Sequence, residues 1–147
     1  CNLYGPGQLN LSAIIPSLIM SVIKNEKFVP RSNGLMTRDY MFIEDWVKSL
    51  IKIAESNITK KFKGNIFNFG TGKPKTVISV AEKVSKLIND KNKNIILEDF
   101  QKFKSKNEIL YQSLDSSKAL KLIGRFNTTN FDEGIIKTIN WYKKYLK

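Results

Sequence analysis

The stretch that decides the fold is Thr37-Arg38-Asp39-Tyr40-Met41-Phe42-Ile43-Glu44-Asp45-Trp46. Tyr40 to Ile43 is a run of large apolar residues, long enough for a buried strand and too short for a helix. Glu44 and Asp45 then place acidic groups where the next helix should begin, against the positive end of its dipole. Trp46, Val47, Leu50, Ile51 and Ala54 follow at three- and four-residue spacing, an apolar stripe predicted to face a core. Arg38 stands just ahead of the strand, and its planar fork suits phosphate or carboxylate. The decapeptide leaves two roles open for it, a ligand contact or an ion pair with Asp39 or Asp45.

Outward from this stretch, strand and helix patterns alternate. Asn2 to Leu11 reads as a loop, with Tyr4-Gly5-Pro6-Gly7 forcing a turn. Ser12 reads as the cap of a helix whose apolar face is Ile15, Leu18, Ile19, Val22 and Ile23; Pro16 is tolerated in the first turn, and Asn25 ends it. Phe28-Val29 reads as a short strand, and Arg31-Ser32-Asn33-Gly34 as the turn that delivers the chain to Arg38. Downstream, Asn65 to Phe69 is a predicted buried strand ended by Gly70-Thr71-Gly72. Ser79 with Glu82 forms a capping box for a helix through Val80, Val84, Leu87 and Ile88. Ile95-Ile96-Leu97 and Ile109 to Leu114 read as strands, and Phe100 to Asn107 as a mobile basic loop. Asp115 caps a short helix that Gly124 stops, and a last helix from near Asn130 buries Ile135, Ile136, Ile139 and Tyr142. The alternation makes the chain α/β.

Composition narrows the chemistry. The 147 residues fit one domain, and 41% hydrophobic content argues against disorder. No apolar run approaches the ~20 residues of a membrane span. With one cysteine and no histidine, the chain has no internal disulfide, no zinc ligand set and no Ser-His-Asp triad, and it fits a reducing, cytoplasmic setting. The net charge of +12 suits nucleic acid or an anionic small molecule. Its excess is almost all lysine, spread along the chain, with Arg31, Arg38 and Arg125 the only arginines. Solvated lysine faces therefore outweigh a nucleic-acid groove.

Two glycine motifs imitate phosphate loops and fail. Gly70-Thr71-Gly72 opens like a dinucleotide fingerprint, but Lys75 occupies the third glycine position. Gly72-Lys73 imitates a P-loop, but Pro74 stands where Ser or Thr must bind magnesium.

Cys1-Asn2-Leu3-Tyr4-Gly5-Pro6-Gly7, Asn10 to Pro16, Gly34 to Asp45, Asn65 to Gly72, Glu108-Ile109 with Gln112, Leu114 to Ala119 and Gly134 to Tyr142 occur in one order. Together they resemble the extended short-chain dehydrogenase/reductase family, and within it the NAD-dependent sugar-nucleotide 4,6-dehydratases and epimerases. The resemblance implies that residues 1–147 are one C-terminal, substrate-binding region. Its last strands and helices would pack on a Rossmann domain that precedes Cys1, with most of the dinucleotide-binding sheet missing. It implies NAD as cofactor, bound mainly by that preceding part, a nucleotide-diphosphate sugar as substrate, and a homodimer in the complete enzyme. Hydride would leave C4 of the sugar for NAD; a dehydratase then eliminates water across C5 and C6, and an epimerase returns hydride to the other face.

The family's Tyr-x-x-x-Lys proton relay is absent: Tyr4, Tyr40, Tyr111 and Tyr142 are followed four residues on by Gln8, Glu44, Asp115 and Leu146. No catalytic residue is therefore assigned, and the chain by itself is expected to be inactive. The resemblance assigns binding roles instead. Arg38 would grip the nucleotide-diphosphate portion, and Asn2 the diphosphate or sugar. Asn10 and Ser12 would fold over the ligand, and Glu108 would sit near the nucleotide pocket. Ala13 departs from the Arg or Lys of close relatives, leaving the second phosphate cation unassigned, with Lys102 to Lys106 as a substitute source. Gln112 and Leu114 to Lys118 favour a dehydratase. The rival readings are a basic nucleic-acid-binding module and a non-catalytic relic of the same fold.

Overall fold

The computed structural model describes residues 1–55, 64–88, 100, 109–124 and 128–146. The elements in chain order are β1 (Asn2–Tyr4), α1 (Ile14–Ile23), β2 (Thr37–Arg38), β3 (Tyr40–Phe42), α2 (Ile43–Glu55), β4 (Lys75–Thr76), α3 (Val77–Ile88), α4 (Ser117–Ile123) and α5 (Phe131–Tyr145). The decisive apolar run becomes β3, buried at all three positions. It pairs in parallel with β1 in the register Asn2↔Tyr40, Leu3↔Met41, Tyr4↔Phe42. One residue back along the chain, β2 pairs antiparallel with β4, and Thr37 forms a single parallel bridge to Tyr111.

Helices α1, α3 and α5 pack on one another. Leu18 and Ile19, Val80 and Val84, and Ile135, Ile139 and Tyr142 form the core they share, which Tyr4 and Phe42 join from the strands. Burial of side chains of this size stabilises by about 1.5–3 kcal/mol each before chain entropy is counted. The ends of these helices follow from local chemistry. Asn25 takes a left-handed φ of 55° just past the last turn of α1, a conformation asparagine tolerates. The Asn130 side chain accepts the Asp132 N–H at 2.9 Å and caps α5. Gly34 has φ +73°, and a Cβ there would stand 2.7 Å from the Phe100 ring, so only glycine fits that turn.

Several expectations are corrected. The N-cap of α1 is Ala13, without a side-chain bond, because the Ser12 hydroxyl donates to Asn10 instead. Helix α3 starts at Val77 rather than at a Ser79–Glu82 box, since Thr76 Oγ1 accepts the Ser79 N–H at 3.2 Å and closes the first turn earlier. Ser116 is the N-cap of α4, one residue past Asp115, whose carboxylate accepts the Ser117 N–H at 2.8 Å. Phe28-Val29 forms no strand, because Phe28 packs into the core against Phe100 at a ring separation of 6.1 Å. Phe100, assigned to a loop by pattern, is itself a core residue.

The stripe on α2 is not buried: Val47, Leu50 and Ile51 are 41%, 39% and 48% exposed, while Asp45 and Ser49 are the buried positions. The helix is anchored by chemistry rather than by its stripe. The Asp45 carboxylate accepts the Thr129 N–H at 2.5 Å and the Thr129 hydroxyl at 2.8 Å, tying the start of α2 to the entry of α5. Asn65 to Phe69 likewise forms no strand, and Ile66 is 84% exposed. An apolar run signals a preference for burial, but such a preference alone does not make a strand. Ile109 to Leu114 contributes only the Tyr111 bridge, and Ile136 on α5 is 43% exposed. The predicted strand Ile95 to Leu97, Lys102 to Lys106 and Glu108 lie outside the described residues.

Candidate functional site

A cavity of about 510 Å³ opens between β1, the turn into α1, the Phe28 to Ser32 segment and the β2–β3 strands. Asn2, Ser12 and Arg38 all line it, so the structure brings together three of the five residues named from sequence. Asn10 does not line it. Its Oδ1 accepts the Ser12 N–H at 2.9 Å and the Ser12 hydroxyl at 2.6 Å, which fixes the loop that presents Ser12.

Arg38 is held by neutral acceptors. Its Nη1 donates to the Ile109 carbonyl at 2.7 Å and the Thr37 carbonyl at 3.0 Å, and Nη2 lies 3.4 Å from Met36 Sδ. Neither candidate ion-pair partner is available. The Asp39 carboxylate accepts the Thr71 N–H at 3.0 Å, the Gly72 N–H at 3.1 Å and the Thr71 hydroxyl. Asp45 is engaged by Thr129. The described cavity lining contains no carboxylate, and Arg31 adds a second guanidinium. Two cations with no counter-charge among the described lining residues of this cleft favour an anionic guest.

The same Asp39 bonds decide what the glycine loop can do. Gly70 donates its N–H to Ser116 Oγ at 2.8 Å, while the amides of Thr71 and Gly72 point at a carboxylate. A Cβ on Gly70 would stand 2.4 Å from Asp39 Oδ2, so the glycine is there to admit the carboxylate. A pyrophosphate approaching this loop would meet negative charge where it needs free amides. This loop therefore does not fit a dinucleotide's pyrophosphate.

Sequence reasoning missed three lining residues, Arg31, Gln8 and Tyr40. Arg31 carried only its turn signal, and Tyr40 was absorbed into the apolar run. Gln8 gave no signal at all; its Nε2 donates to the Leu3 carbonyl at 3.2 Å, and its backbone carbonyl accepts from the Tyr142 hydroxyl. Burial pushes the Tyr40 phenol up to about 12, against the pull of the Arg38 guanidinium and the Asn2 side chain toward ionisation. Among the described residues no group of three or more His, Cys, Asp or Glu side chains is placed to hold a metal ion. No described helix is long and apolar enough to cross a membrane.

Residues 1–70 match the NAD dependent epimerase/dehydratase family. The dTDP-D-glucose 4,6-dehydratase of Mus musculus is 28% identical over 97% of this chain and 39% of its own length. The trifunctional UDP-glucose 4,6-dehydratase/UDP-4-keto-6-deoxy-D-glucose 3,5-epimerase/UDP-4-keto-L-rhamnose-reductase of Arabidopsis thaliana is 31% identical over 96% of this chain and 20% of its own. The fold matches that of Thermotoga maritima UDP-glucose 4-epimerase with a TM-score of 0.80 at 22% identity, covering 99% of this chain and 45% of that one. It also matches the Bacillus anthracis dTDP-glucose 4,6-dehydratase with a TM-score of 0.78 at 21% identity, over 99% and 43%. The chain thus spans about two-fifths of the length of the mouse dehydratase.

Proposed function

This chain is related to the NAD-dependent sugar-nucleotide epimerases and dehydratases, and we propose that it is the part of such an enzyme that holds the nucleotide-diphosphate sugar. The observation that carries the proposal is the convergence of Arg38, Asn2 and Ser12 on one cavity whose described lining holds no carboxylate. Arg38 offers the diphosphate a charged, planar fork that no described acid neutralises. Asn2 offers an amide at the start of β1, and the Asn10 clamp holds Ser12 at the rim. Such groups bind and orient; none is placed to take a proton from a sugar hydroxyl. NAD, which the family description requires, would be held by other parts of the enzyme, since the glycine loop here is closed on Asp39. Glu108, outside the described residues, is assigned to the nucleotide in this reading on the family resemblance alone.

Two observations support a region that packs on further structure. The α2 stripe and Ile66 leave apolar surface facing outward, and the relatives are more than twice as long as this chain. The whole enzyme in this reading is a cytoplasmic homodimer, a 4,6-dehydratase in preference to an epimerase, because the named relatives of both lengths carry that activity.

Titration calorimetry of the chain with UDP-, dTDP- and CDP-glucose tests the proposal. The expected result is saturable binding of at least one, displaced by the matching nucleoside diphosphate, with no 4-keto sugar formed when NAD is added. Failure of all three to bind, or turnover by this chain, would overturn it.

A further inference from the structure

The cavity wall contains a buried polar group with no hydrogen-bond partner. Tyr40 is 5% exposed and its hydroxyl, closed off from water, has no partner of hydrogen-bonding geometry. Buried hydroxyls are nearly always paired, so this one calls for an explanation. The direction in which the ring reaches is fixed by its surroundings. Tyr40 stands directly opposite Asn2 in the parallel β1–β3 register, which puts both side chains on one face of the ribbon, and both line the cavity. Arg38 and Asn2 are the neighbours that bear on the phenol, and both belong to this cavity and not to the smaller one on the other side of Tyr40.

Asn2 is exposed, and its side chain lies close enough to act on the Tyr40 phenol without completing a hydrogen bond of ordinary geometry in this state. Its backbone, by contrast, is fixed, with its N–H donating to the Asp39 carbonyl at 2.7 Å. A carboxamide has two ends: an NH₂ that can donate to a ligand oxygen and a carbonyl that can accept. Swung toward an anionic ligand, the NH₂ leaves its Oδ1 on the side where the Tyr40 hydroxyl waits.

We propose that Tyr40 is a positioning residue, whose hydroxyl donates to Asn2 Oδ1 in the ligand-bound state and thereby aims the Asn2 NH₂ at the nucleotide-diphosphate sugar. The inference rests on the binding role proposed for Asn2. It assigns the strand's tyrosine a purpose that a purely apolar core residue would not have. The hydroxyl goes unpaired in the free protein and gains its partner only when the ligand orders Asn2. Its contribution therefore lies wholly in the bound state.

The test is a double-mutant cycle on the chain, with Tyr40→Phe, Asn2→Ala and both together, titrated with whichever of UDP-, dTDP- or CDP-glucose the wild type binds. Tyr40→Phe removes only the hydroxyl. The melting temperature of the free Tyr40→Phe protein is expected to hold or rise, because an unpaired buried hydroxyl is lost. Its affinity is expected to fall about three- to tenfold, the size of one neutral hydrogen bond. In the Asn2→Ala background Tyr40→Phe is expected to have no further effect, since the carbonyl it would orient is gone. A fall in the melting temperature of free Tyr40→Phe would show that the hydroxyl is already bonded and structural, which overturns the proposal. Additive effects, or unchanged affinity in Tyr40→Phe while Asn2→Ala binds weakly, would overturn it and leave the binding role of Asn2 standing. A wild-type chain that binds none of the three sugars, or an Asn2→Ala variant that binds normally, would remove both.

Discussion

Removing the Arg38 guanidinium should weaken ligand binding far more than it weakens the fold. An arginine has five N–H donors. Here the Nη1 pair is used on the Thr37 and Ile109 carbonyls, and one Nη2 hydrogen faces Met36 Sδ. The Nε hydrogen and one Nη2 hydrogen remain, and the Nε–Nη2 edge of the fork carries neither the Thr37 nor the Ile109 bond. That edge can make two parallel charge-assisted bonds to a phosphate. Each such bond contributes about 1.5–3 kcal/mol net, and partial exposure of Arg38 trims the pair to about 2–4 kcal/mol. Arg38→Ala is therefore expected to weaken nucleotide-sugar affinity by about thirty- to a thousandfold.

The structural cost is smaller. The Ile109 carbonyl belongs to an exposed residue, so water replaces the lost donor there, and about 1 kcal/mol should be lost overall. For a chain of this length that lowers the melting temperature by about 2–4 °C. Arg38→Lys restores the charge without the fork and should recover only part of the affinity. Calorimetry and thermal unfolding on the same variants separate the two quantities. A large fall in melting temperature beside unchanged affinity would refute the reasoning and make Arg38 a strut for the 109–111 segment.

Asp39→Asn should destabilise the chain by about 2–3 kcal/mol in urea unfolding, because a buried carboxylate that accepts from Thr71 and Gly72 becomes an amide with one acceptor and a misplaced donor. Ligand affinity of the folded variant should change little, since Asp39 does not line the cavity. Stability should also fall at alkaline pH. The Tyr40 phenol is raised from its ordinary value of 10.0 to about 12, and Tyr4 is raised further in the same direction by burial and by Asp45, Asp132 and Glu133. A raised value means that the folded state keeps a proton the unfolded state has lost, so stability is full below pH 10 and declines as pH climbs toward 12. The Tyr40 share is about 2–3 kcal/mol, and denaturant midpoints that stay level across this range would contradict it.

What the sequence made legible was mostly local. The helix of α5, its start near Asn130 and its buried positions Ile135, Ile139 and Tyr142 follow from spacing alone. So does the end of α1 at Asn25 and the burial of Tyr40 to Phe42. Misreadings arose where a residue's partner lies far along the chain. Asp45 read as a dipole-compensating surface acid, yet it is buried because Thr129 bonds to it across 84 residues of sequence. The α2 stripe and Ile66 have the right residues for burial, but periodicity does not say which element covers a face. Arg38 stood out by its place before the strand and Asn2 through family resemblance, whereas Arg31, Gln8 and Tyr40 reach the cavity through turns and register that no short window contains.

The decapeptide does two jobs, and strand geometry is what keeps them apart. Along an extended chain successive side chains alternate between faces. Arg38 and Tyr40 consequently reach the ligand cavity, while Asp39 between them turns away and takes the amides of Thr71 and Gly72. A one-residue slip in this segment would put a carboxylate into the anion cavity and a guanidinium against the glycine loop. Both would be unfavourable, the first by repelling the ligand and the second by leaving the loop amides facing a cation. The strongly bonded loop thus fixes the register in which Arg38 must emerge. The acid adjacent to Arg38 in sequence is kept from neutralising it because its oxygens are already occupied on the opposite face. The ion pair that the sequence left open as a rival to ligand binding is excluded by the same alternation that makes the site.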